Sequence, residues 1–121
     1  MERIETTILR NLIYKEEYSR KVIPFIQPDY FENKTEKIIF EESTQFIVKY
    51  DSAITVEALN IEIENRTDLT ETEIKEAREV TKTFNDLPVD DQWLLDSTEK
   101  WCRDRAIYLS LIHISEPTRP Y

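Results

Sequence analysis

The strongest periodic pattern in this sequence lies in residues 90–109, DDQWLLDSTEKWCRDRAIYL. Large or weakly polar side chains recur there at intervals of about three to four residues, which is the spacing of one face of an α-helix. The face is broad enough to pack against partner helices. The pattern therefore predicts a long helix that begins near Val89 or Asp90 and continues through Leu109. The face consists of Leu94, Leu95, Thr98, Trp101, Cys102, Arg105, Tyr108 and Leu109.

Helical spacing of apolar residues also predicts four helices upstream of that segment. Phe25 is expected to be buried with its apolar neighbours in the second of them, and Pro24 should kink or shorten the same helix. The fourth begins with TETE, which has the form of a capping box with Thr70 at the N-cap and Glu73 three residues later. These helices cover residues 4–13, 16–26, 34–50 and 70–84.

Residues 59–64, LNIEIE, alternate apolar and polar side chains, and this alternation also fits a half-buried strand. Helix is favoured because Thr55 is a good N-cap and because Leu59 and Ile63 share one helical face. No second convincing strand exists with which this segment could pair. The sequence therefore predicts an all-α fold, a single compact domain of about five or six helices that ends in a truncated long helix.

The sequence contains no glycine. Loops that cradle phosphates need glycine where the backbone approaches the ligand or takes a positive φ, so neither a P-loop nor a dinucleotide fingerprint can be present. The lack of glycine also disfavours tight hairpin turns and left-handed helix caps. Helices joined by Asn, Asp, Ser and Pro loops are then the most accessible architecture.

The net charge is −9, from 25 acidic and 16 basic residues. A surface this negative repels the phosphate backbone, so we expect no direct nucleic-acid binding. Arg103 and Arg105 are interpreted as ion-pair or interface residues rather than phosphate clamps. The charged start, MERIE, precedes no long apolar run, which predicts neither a signal peptide nor a membrane span. One cysteine fits a reducing cytoplasm.

Two pairs of adjacent carboxylates are the nearest approach to a catalytic or metal site. Neighbouring side chains on a helix diverge by about 100°, so neither pair forms a convergent site. Asp90 and Asp91 are interpreted as charges at a helix N-terminus, and Glu41 and Glu42 as part of a solvated face. Cys102 has no histidine partner and is interpreted as a small hydrophobic residue. The sequence predicts no catalytic, cofactor-binding or metal-ligating residue.

The end of the chain, LSLIHISEPTR at residues 109–119, matches the translation of the end sequence used in transposase-based sequencing libraries. We expect residues 109–121 to be non-native and the domain to comprise residues 1–108. This tail contains the one histidine, His113. Residues 109–114 can extend the last helix by a turn, but Pro117 and Pro120 prevent a longer continuation.

Several stretches, taken in order, resemble the beginning of the replicative DNA helicases of T-even-like bacteriophages, which are of the DnaB type. The similarity extends from Ile4 to Tyr108, and the order and spacing of its motifs are more specific than any single one. The stretches are ILRNLI at residues 8–13, YSRKVIPF at 18–25, DYFE at 29–32, EALNI at 57–61 and DQWLLDSTE at 91–99.

This resemblance implies an all-helical N-terminal domain, with the ATP-hydrolysing motor following after a linker. In the family such a domain forms a collar on a hexamer by pairing helical hairpins, and it helps to organise contacts with primase and the helicase loader. The helix from about Asp90 resembles the first arm of that hairpin. The resemblance implies ATP and Mg²⁺ for the motor only, with no cofactor in this chain, and a location in the host cytoplasm.

Under this interpretation the last helix carries the candidate oligomer interface. Its stripe of Leu94, Trp101 and Tyr108 is expected to be partly exposed where a second arm should cover it. The alternative is a small, complete, acidic helical phage protein that binds and modulates a partner protein, such as an inhibitor of a host factor or a DNA mimic. The candidate interface residues are Leu94, Leu95, Thr98, Trp101, Arg105 and Tyr108.

Overall fold

The computed structural model describes residues 3–114 and the side chains of residues 3–111, and regular structure in this part of the chain is entirely helical. The all-α prediction is confirmed, and residues 59–64 lie in a helix rather than a strand. Helices α1 to α6 are Ile4–Tyr14, Glu16–Val22, Lys34–Tyr50, Val56–Glu64, Glu71–Lys82 and Asp91–Ile114, with 3-10 turns at Ile23–Phe25 and Pro28–Tyr30.

Helix α1 joins the two halves of the domain. It contacts α3, which packs with α4 and α5, and it also contacts α2 and α6, which contact each other. Leu9 of α1, Ile39 of α3, Leu59 of α4 and Leu94 of α6 are each completely buried. These side chains belong to one continuous core, so α6 is packed into the domain along much of its N-terminal half.

Pro24 shortens the second helix, as expected. Helix α2 ends at Val22, and a 3-10 turn follows. The predicted burial of Phe25 is wrong, because its side chain is 72% exposed while Ile26 is buried. A 3-10 turn advances by about 120° per residue instead of about 100°, so Phe25 rotates out of the face that an uninterrupted helix would bury.

Helix α3 ends with a left-handed residue although the chain lacks glycine. Asp51 has φ 56° and ψ 34°, and its N–H donates to the Ile47 carbonyl at 2.9 Å. Aspartate tolerates this region better than most residues. Arg20 stabilises the turn by donating to the Asp51 carboxylate at 2.9 Å and to its carbonyl at 2.7 Å.

Helix α6 continues to Ile114, so the predicted extension past Leu109 is confirmed. Pro117 and Pro120, which are expected to limit this helix, lie outside the described residues. No helix within residues 3–114 is both long and apolar enough to cross a membrane.

The predicted capping box opens α5 and is expected to contribute measurably to stability. The Thr70 hydroxyl accepts from the Glu73 N–H at 3.2 Å, and the Glu73 carboxylate accepts from the Thr70 N–H at 2.9 Å. Thr70→Ala should cost about 1 kcal/mol in the free energy of unfolding, measured by urea denaturation. Thr72→Ala, in the exposed first turn, is the control and should be neutral or slightly stabilising. Equal losses would argue against the cap.

Candidate interaction surface on the last helix

One side of α6, which carries Leu94 and Thr98 and which we call the inner face, is buried against the rest of the domain. Leu94 and Thr98 are 0% and 2% exposed. The Thr98 hydroxyl donates to the Leu94 carbonyl at 2.7 Å and lies 2.6 Å from the Tyr18 hydroxyl. Because Thr98 has one proton to donate, Tyr18 is the donor between the two hydroxyls. Burial raises the pKa of Tyr18, which keeps the phenol protonated for this role.

Trp101 connects α6 to an aromatic cluster behind it. Its ring lies 4.9 Å from that of Phe31 and 5.9 Å from that of Tyr30, the latter in a T-shaped arrangement with an interplanar angle of 83°. Phe31 in turn contacts Phe40 of α3 at 5.3 Å. The buried Trp101 indole N–H has no hydrogen-bond partner within the described residues. Aromatic packing, rather than hydrogen bonding, therefore holds this side chain.

Arg105 links the middle of α6 to the segment before α3 through a hydrogen bond and an ion pair. Its Nε donates to the Tyr30 carbonyl at 2.6 Å, and its Nη1 contacts the Glu32 carboxylate at 3.0 Å. The guanidinium also lies over the Tyr108 ring, 4.8 Å from its centroid. Arg103 pairs with Glu99 at 3.6 Å. The interpretation of both arginines as ion-pair residues is confirmed.

The acidic pair at the start of α6 has the structural role expected of it. The Asp90 carboxylate accepts from the Trp93 N–H at 2.8 Å. Asp91 pairs at 2.8 Å with Lys15, which lies between α1 and α2, and this lysine lowers the pKa of the Asp91 carboxyl. The first contact caps the N-terminus of α6, and the second links that end of the helix to the segment between α1 and α2.

The prediction for the second acidic pair is wrong for Glu42, which is buried. Arg66 approaches Glu41 at 3.3 Å and Glu42 at 3.2 Å. Burial raises the pKa of Glu42, while Arg66 opposes that rise. The two glutamates therefore hold Arg66, which follows α4, against α3 instead of forming a solvated face.

Within the described residues, two kinds of reactive site can be checked directly, a metal cluster and an activated thiol. No group of three or more His, Cys, Asp or Glu side chains within them could hold a metal ion. Burial raises the pKa of the Cys102 thiol to about 11, so it is a poor nucleophile near neutral pH.

The expected exposure of Leu94 and Trp101 is wrong, since they are 0% and 7% exposed. Helices α1 and α2 and the turn at Pro28–Tyr30 cover them, so no second arm is needed there. Thr98 is buried with them. Leu95 and Arg105 are half-buried, and Tyr108 is 48% exposed. The interface itself stays a prediction, with Tyr108 the most accessible of its six residues.

Sequence periodicity did not predict that large apolar side chains would be exposed on another side of α6. Trp93 and Ile107 are 50% and 54% exposed and lie with Tyr108 within an arc of about 100° on a helix of ~3.6 residues per turn. We call Trp93, Ile107 and Tyr108 the outer face. Leu111 is also exposed. The signal was that Trp93 and Ile107 are large apolar residues outside the main stripe, whereas Tyr108 belongs to that stripe.

Comparison with known proteins agrees with the resemblance seen in the sequence motifs. The chain is 33% identical over 109 residues to the DnaB-like replicative helicase of Enterobacteria phage T4. The match covers 90% of this chain but 23% of the phage protein, so the chain spans about a quarter of its relative's length. No protein-family model matches the sequence. The chain is therefore similar, along nearly its whole length, to one part of a replicative helicase.

Proposed function

We propose that this chain is the helical N-terminal assembly domain of a phage replicative DNA helicase. Its role would be to organise a hexamer and to contact the primase and helicase loader, while the motor that uses ATP and Mg²⁺ lies in sequence beyond this chain. One observation carries the proposal: similarity to a replicative helicase extends over 90% of this chain but over 23% of that helicase.

The composition supports a role in assembly for this chain, with ATP hydrolysis in another part of the protein. Without glycine, residues 1–121 cannot contain a P-loop, so nucleotide hydrolysis would have to take place elsewhere in the protein. The net charge of −9 opposes binding to a phosphate backbone, so the proposed contacts are with protein.

The outer face of α6 supports a role in assembly. Trp93, Ile107 and Tyr108 are each about half exposed, and aromatic residues are enriched at interfaces between proteins. The inner face already holds α6 on the domain, which leaves the outer face free to pack against the second arm of a hairpin or against another subunit.

The proposal is tested by determining the DNA sequence that follows the codon for Tyr108 in the source genome. We expect an uninterrupted frame that contains a second helical arm, a linker and then a GxxxxGK[ST] loop. A stop codon soon after this point, or a long frame without such a loop, would contradict the proposal. A short complete gene would instead favour the small acidic partner-binding protein.

We also propose that residues 109–121 are not native, and deletion provides the check. Removing Ser110–Tyr121 should leave the melting temperature unchanged within error, because Ser110 and Leu111 are exposed and contribute little packing. Differential scanning calorimetry would compare this variant with the full chain. A deletion that begins at Trp101 is the positive control and should unfold the domain. A large loss from the shorter deletion would show that the tail is native.

A further inference from the structure

A groove runs along the side of α6 that faces α2 and the 3-10 turn at Ile23–Phe25. Two adjoining cavities of about 330 and 590 Å³ form it, and they share Lys21 and Leu95. On α6 the first cavity begins at Asp91, and the second cavity extends to Ala106. The groove therefore follows α6 for about four turns, or ~22 Å at ~1.5 Å per residue.

The walls of the groove are mainly apolar. Leu95, Cys102 and Ala106 line it on α6, and Val22 and Phe25 line the opposite wall. Phe25 is 72% exposed, which leaves most of its ring available for contact. The small side chains at positions 102 and 106 allow another backbone to approach α6 closely. A groove of this length and character fits the apolar stripe of an amphipathic helix of roughly 15 residues.

The charges along the groove favour a basic occupant. Lys15 is neutralised by Asp91 at 2.8 Å, and Arg103 lies 3.6 Å from Glu99. Glu17 on α2 and Asp96 on α6 line the groove and form no ion pair within the described residues. Of the basic residues that line it, Lys21 alone forms no ion pair there. The unpaired charge is thus net acidic, in a chain whose total charge is −9.

We propose that this groove binds an amphipathic helix of a partner protein, with the apolar stripe of the helix against Phe25, Leu95 and Ala106 and basic residues on its flanks. Cationic side chains on either side of the stripe would reach Glu17 and Asp96. The proposal does not depend on the helicase assignment, because the groove lies on a different side of α6 from the outer face.

Fluorescently labelled peptides of about 15 residues provide the test, by anisotropy titration with the full chain. The first peptide has leucine at helical spacing and lysine elsewhere, the second replaces lysine with glutamate, and the third is a scrambled form of the first. We expect the first to bind and the other two to bind at least about tenfold more weakly. Phe25→Ser should weaken binding of the first about tenfold. Val48→Ser, at a 78% exposed position on α3, should leave binding unchanged.

Both substitutions are at exposed positions, so circular dichroism should show an unchanged fold for each variant. Failure of the first peptide to bind, equal binding of the scrambled peptide, or equal effects of the two serine variants would each overturn the proposal. Self-association of the chain that Phe25→Ser abolishes, without peptide binding, would also overturn it by identifying a second copy as the occupant.

Discussion

Trp101→Ala is expected to lower the free energy of unfolding by about 3–5 kcal/mol, because it removes the largest side chain that joins α6 to the core. The ring is 7% exposed and contacts both Tyr30 and Phe31. Domains of this size are stable by only about 5–15 kcal/mol, so the variant should be close to unfolding at 37 °C.

Trp93→Ala is the matched control, since it makes the same substitution on the same helix. Trp93 is 50% exposed, and its loss should cost less than about 1 kcal/mol. Urea denaturation followed by far-ultraviolet circular dichroism measures both variants without relying on tryptophan fluorescence. Similar losses at the two positions would contradict the packing of α6 described above.

Helix starts and breaks were predictable because their signals are local. The capping box at Thr70 and Glu73, the N-cap at Thr55 and the break at Pro24 depend on residues within one turn of each helix end. The position of Phe25 was not predictable in this way. Its exposure depends on the rotation introduced by the 3-10 turn, which helical periodicity does not contain.

Periodicity identified the main stripe of α6 but could not tell what covers it. Leu94 and Trp101 would show the same spacing whether a helix of this domain or a missing second arm lay against them. The answer depends on contacts distant in sequence, such as the hydrogen bond between Tyr18 and Thr98 and the bond from Arg105 to the Tyr30 carbonyl.

The burial of two glutamates on α3 was likewise not predictable from local sequence. Glu36 and Glu42 both face inward on α3, where Arg3 contacts Glu36 at 2.9 Å and Arg66 contacts Glu42 at 3.2 Å. Burial raises the pKa of each carboxyl. No local pattern distinguishes these residues from exposed glutamates, because their partners come from α1's N-terminal flank and from the loop after α4.

Disruption of the outer face should abolish assembly in a protein extended by its natural sequence through the second arm and motor. Trp93→Asp combined with Ile107→Asp places two charges in the proposed interface and should weaken self-association at least about a hundredfold. Val48→Asp combined with Ile61→Asp is the matched control, at exposed apolar positions on α3 and α4. Size-exclusion chromatography with light scattering measures the mass of each. Assembly that survives in the first variant would exclude the outer face as the interface.

Sedimentation velocity of the present chain, beside the protein extended through the second arm, tests the assembly role most directly. We predict that the present chain sediments as a monomer or as an ill-defined aggregate, because half of the proposed hairpin is missing. The extended protein should form discrete dimers or hexamers. A well-defined hexamer of the present chain alone would contradict this account, because it would place the assembly interface on other helices.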